Sequence, residues 1–103
     1  MNIIEMHKEA LINLCQKHHV KSLCVFGSAL RNDFNETSDI DFSVLFDRNT
    51  LKDPNDFGEN YLDFILNLEK EFNRSVDVVN EENLKNPYFA SVLNKTKQLL
   101  YAA

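Results

Sequence analysis

At 103 residues the chain is expected to form a single domain, long enough to bury about 60–65% of its unfolded surface. Apolar residues at 44% and charged residues at 26% fit an ordinary globular protein, and no apolar run reaches the roughly 20 residues of a membrane span. The net charge of −5, with lysines and arginines scattered among acids, argues against a nucleic-acid platform, which needs a basic stripe.

No basic segment followed by a greasy one stands at the N-terminus, so no secretory signal is expected. Ile3, Ala10, Leu11, Leu14 and Cys15 recur at helical spacing and predict an amphipathic helix over 3–18. Cys15 and Cys24 both occupy apolar positions and read as reduced core thiols of a cytoplasmic protein. His18 and His19 fall where that helix ends, and partial positive charge is favoured there. A zinc site with Cys15 is disfavoured, because consecutive histidines cannot both share the cysteine's helix face.

Ser22-Leu23-Cys24-Val25-Phe26 reads as a short buried strand stopped by Gly27. The run Gly27-Ser28-Ala29-Leu30-Arg31 is then a tight turn opening a short helix through Arg31. A turn with free backbone N–H groups and a hydroxyl suits the phosphate tail of a nucleotide. After the polar segment 32–38, residues 40–46 form a second strand. Ile40, Phe42, Val44 and Phe46 alternate onto one face, and Asp39, Asp41 and Ser43 onto the other. Side chains two apart on a strand lie roughly 7 Å from each other on one face. Two carboxylates so placed can share a pair of divalent ions about 4 Å apart, as phosphoryl chemistry requires.

Asp47 to Asn55 is a turn-rich connector, and Asp53-Pro54 signals a new helix with an acid cap and a first-turn proline. Phe57, Tyr61, Phe64, Ile65, Leu68 and Phe72 supply its buried stripe. Val76 to Val79 is a third short strand. Asp77, set between valines, is costly there unless paired or bound to a metal, and completes a three-carboxylate cluster if the second and third strands are neighbours. Asn86-Pro87 starts a last helix with Phe89, Leu93 and Leu100 along one face. The order α-β-(α)-β-α-β-α predicts an α/β fold, a small mixed sheet packed against helices. A calcium loop over Asp33–Val44 fails, since Ser38 and Val44 stand where that loop needs glycine and glutamate.

Gly27-Ser28, an arginine shortly after, Ser38-Asp39-Ile40-Asp41 and the later Val76-Asp77-Val78 resemble the signature of the polymerase-β-type nucleotidyltransferases. The match is closest to their minimal nucleotidyltransferase (MNT) branch, single-domain proteins of about this length. The resemblance implies a nucleotidyltransferase fold and transfer of AMP from ATP. It also implies that Asp39, Asp41 and Asp77 hold Mg²⁺ and that Asp77 helps to deprotonate the attacking hydroxyl. Gly27, Ser28, Arg31 and Ser38 are then the nucleotide contacts. Leu30 and Asn32 depart from the branch, which often has a small residue before the arginine and glycine after it. Members of the branch are antitoxins paired with HEPN-domain ribonuclease toxins, some of which they modify on a tyrosine. The implied partner is such a toxin, in the cytoplasm, with the acceptor held by that second chain. Two other readings stay open: a catalytically weak module that silences a toxin by masking it, and a dimeric transferase for small molecules.

Overall fold

Ile40, Phe42, Val44 and Phe46 are all buried, and the strand that carries them lies at the centre of the fold. A computed structural model describes residues 2–27, 35 and 37–103. Its elements are α1 (Asn2–Met6), α2 (Lys8–Lys17), β1 (Val20–Phe26), β2 (Ile40–Phe46), α3 (Phe57–Phe72), β3 (Val76–Asn80), α4 (Pro87–Thr96) and β4 (Gln98–Ala102). The four strands form one sheet in the order β3-β2-β1-β4. β1 pairs antiparallel with β2 and with β4, whereas β2 and β3 run parallel. Parallel neighbours need a crossover, and α3 supplies it.

The main core lies between one face of the sheet and helices α2 and α3. Leu11 and Cys15 from α2, and Phe64, Leu68 and Phe72 from α3, pack on Leu23, Val25 and the apolar side of β2. Phe46 anchors this layer, with its ring 5.4 Å from those of Phe57 and Tyr61 and 5.7 Å from that of Phe64. Each fully buried side chain of this kind stabilises the fold by about 1.5–3 kcal/mol relative to exposure. Cys24 and Ser43 alternate with core residues and are register partners, so they point to the opposite face. Helix α4 reaches that face, where Phe89 meets Phe26 edge-on at 6.2 Å. Both cysteines are buried and free.

Helix α3 begins as its sequence signals suggest. Asp53 Oδ1 accepts from the Asn55 amide at 3.0 Å, and Pro54 opens a 3₁₀ turn that runs into the helix. It ends at Asn73, whose φ of 50° is left-handed.

His18 caps the end of α2, as expected, but it is also 5% exposed and bridges α2 to α3. Its carbonyl accepts from Asn60 Nδ2 at 2.7 Å, which turns Asn60 Oδ1 toward His18 Nδ1 at 3.2 Å. Nδ1 is therefore the protonated nitrogen, and Nε2 accepts from Asn67 Nδ2 at 3.2 Å. Burial pushes the imidazole pKa below its usual 6.5, and the Asn60 hydrogen bond offsets part of that. Because the unfolded chain binds this proton more tightly, stability is expected to fall as pH drops below about 6.5. Urea midpoints from pH 7.5 to 5 check this. His18→Gln is expected to be less stable at neutral pH and to lose that part of the slope.

Three expectations are corrected. The first helix is broken at His7, whose ring turns away to meet Glu71 Oε2 at 2.6 Å. The last helix stops at Thr96, and Leu100 lies on strand β4 instead of on a helical face. Without β4 the outer edge of β1 would keep unpaired backbone groups, and Lys97 with ψ of 147° turns the chain to pair them. Strand β3 is a sheet edge, so Asp77 is exposed rather than buried between its valines. Lys97 Nζ also pairs with Glu81 Oε1 at 2.7 Å, which ties the start of β4 to the end of β3. The short helix read through Arg31 lies outside the described residues.

Candidate active site

The parallel register of β2 and β3 places Asp41 directly beside Asp77. Asp39 lies just ahead of β2, exposed, two residues from Asp41. On its other side Asp41 faces Phe26, the last residue of β1. One row across the sheet thus runs Phe26, Asp41, Asp77, on the face opposite the main core.

Gly27 follows Phe26 with φ of 65°, a left-handed conformation that glycine adopts freely. The Asp41 carboxylate lies against it. A Cβ on Gly27 would overlap Asp41 Oδ2 and stand 3.2 Å from its Cγ. The residue is glycine because the turn and the acid both need the space.

The Asp77 carboxyl is held above its usual range, first by partial desolvation, then by the Asp41 charge and a hydrogen bond from one carboxyl group to the other. Asp39 and Glu69 add further repulsion. Such a pair favours a shared proton, and a divalent cation relieves the same repulsion. An all-carboxylate donor set suits a hard ion such as Mg²⁺. Among the described residues no three acid, histidine or cysteine side chains are already gathered tightly enough to enclose an ion.

The raised pKa has a consequence for stability. The folded state favours protonated Asp77, so stability is expected to decline as pH rises from about 3.8 through the raised value. Asp77→Asn removes that loss. It should stabilise the chain at pH 7 by less than about 1 kcal/mol, the range of exposed charge pairs. Melting curves of both proteins, with and without Mg²⁺, test this; only the wild type should gain appreciably from the ion.

Ser38 sits in the turn that leads into Asp39. Its Oγ accepts from the Asn35 amide at 3.1 Å, and its own amide donates to the Asn35 carbonyl at 3.1 Å. Ser28 and Arg31 lie outside the described residues, as do Leu30 and Asn32. Sequence reasoning missed Arg74, whose Nη1 donates to the carbonyls of Asn35 and Ser38 at 3.0 and 2.9 Å. No local pattern marks it, because those partners are 39 and 36 residues away in the chain.

Strand β1 thus runs into a glycine turn beside paired strand acids on an open face. The nucleotidyltransferase domain family matches residues 7–100, and the chain belongs to that family. It is 40% identical over 86 residues to MJ1379 of Methanocaldococcus jannaschii, a proposed protein adenylyltransferase, covering 84% of this chain and 79% of the relative. Among solved structures, a proposed minimal nucleotidyltransferase superposes with a TM-score of 0.73 at 26% identity, covering 92% of this chain and 90% of that one. The fold also recurs, at TM-score 0.65 and 18% identity, in a complex of a tri-AMPylated Shewanella oneidensis HEPN toxin with its MNT antitoxin. That match covers 96% of this chain and 72% of the other.

Proposed function

We propose that this nucleotidyltransferase is an antitoxin of the cytoplasm that transfers AMP from ATP to a tyrosine hydroxyl of a HEPN-type toxin. The observation that carries this reading is the Asp41–Asp77 register beside Gly27. Asp39, Asp41 and Asp77 would hold Mg²⁺, which when bound supplies positive charge to the nucleotide phosphates.

The roles of the chain's own groups follow from their chemistry. Gly27 lets backbone approach the phosphates, and Ser28, Arg31 and Ser38 complete the nucleotide contacts. Asp77, whose carboxyl is held above its usual range, is the proton acceptor in this reading. The acceptor oxygen bonds to the α-phosphorus, the bond to the bridging oxygen toward the β-phosphate breaks, and pyrophosphate leaves. The hydroxyl proton passes to Asp77.

Protein as acceptor is supported by the name of the relative and by the AMPylated toxin in the structural neighbour. A nucleotide added near a ribonuclease active site sets a bulky anion where RNA phosphate must bind, which inhibits by repulsion and by bulk. Coexpression with a HEPN-type protein encoded beside this chain, followed by intact-mass analysis, tests the reading. The partner is expected to gain one or more AMP masses. A partner silenced in a stable complex without added mass would favour masking.

A further inference from the structure

Asp39 lies outside β2 and is exposed, so its backbone is not fixed by the ladder that holds Asp41. Two hydrogen bonds bracket it instead. The carbonyl before it, Ser38 O, accepts from Arg74 Nη1 at 2.9 Å, and the amide after it, Ile40 N, donates to Ser75 O at 3.3 Å. Both partners sit in the turn that delivers Asp77 two residues later. The same Arg74 nitrogen also holds Asn35 O at 3.0 Å, tying down the start of the turn. Arg74 is anchored in its own right, since its amide donates to Glu69 O at 3.3 Å and Glu69 Oε2 accepts from Val76 N at 3.3 Å.

We propose that Arg74 is a positioning residue for nucleotidyl transfer, gripping the Asn35 and Ser38 carbonyls so that Asp39 is held against the Asp41–Asp77 pair. The proposal rests on the assignment of these acids to the reaction. Hydrogen bonds from a cationic donor are about twice as strong as neutral ones, and two carbonyls on one nitrogen fix both ends of a short turn. Supporting groups behind reactive carboxylates commonly account for 10–100-fold in activity or metal affinity.

Arg74→Met keeps much of the stem and removes the donors. It is expected to lower kcat by about 10–100-fold. Arg74→Lys should recover part of that loss, because a single nitrogen makes both bonds and an ammonium has protons for each. Hydrogen–deuterium exchange supplies a readout independent of activity. In Arg74→Met, exchange should quicken at residues 38–41 while α3 and β1 keep their protection. Wild-type kcat in Arg74→Met, alongside an inactive Asp41→Asn, would overturn the proposal and leave the acid assignment standing. Activity lost together with protection throughout the chain would overturn it too, as the mark of a residue needed only for folding. Full transfer by Asp41→Asn would overturn the acid assignment, and the proposal with it.

Discussion

Replacing Asp39 and Asp41 together by asparagine is expected to abolish AMP transfer, by at least about a thousandfold, while leaving the fold intact. Metal-assisted stabilisation of developing charge is worth several kcal/mol, and each 1.36 kcal/mol is tenfold in rate. Asparagine keeps the shape of each side chain but cannot neutralise a cation. Without ligand the double variant should melt at the wild-type temperature or slightly above it, because the crowded face loses like charges that already raise the pKa of Asp77. Intact mass of the acceptor over time reads the rate, and circular dichroism reads the fold. Undiminished modification would remove these acids from the reaction.

Gly27→Ala is the next largest effect expected, and it strikes stability and activity together. The left-handed φ of 65° costs a residue with a Cβ about 1–2 kcal/mol. The added carbon must also displace the Asp41 carboxylate, which fills that space. Misplacement of a reacting group by about 1 Å costs on the order of a hundredfold in rate. The variant should therefore unfold at lower urea and transfer AMP at least about a hundredfold more slowly. A Gly27→Ala protein with normal turnover would mean that Asp41 does not need its present position.

Much of the fold around the candidate site was legible because its signals are local. Alternation over Ile40–Phe46 separates core from acids on a period of two, and the strand has the bounds it predicts. The helical stripe from Phe57 to Phe72 is long enough to be unmistakable, and three of its members are buried. Strand β4 was hidden because Leu99, Leu100 and Tyr101 continue the apolar pattern of α4, and only the open edge of β1 decides between helix and strand. The exposure of Asp77 was hidden for a similar reason: valines flank it in any case, and its burial depends on whether β3 is central or an edge. Arg74 and the His18–Asn60–Asn67 network depend on contacts between distant segments, which no window of sequence contains.

In the proposed reading these acids and the Gly27 turn form one nucleotide site that works through a divalent ion. Calorimetric titration of ATP into the chain, with and without Mg²⁺, tests it most directly. Heat of binding is expected only when Mg²⁺ is present, and is expected to vanish in Asp39→Asn/Asp41→Asn. ATP binding of equal strength without the ion, or no binding in either condition, would contradict it.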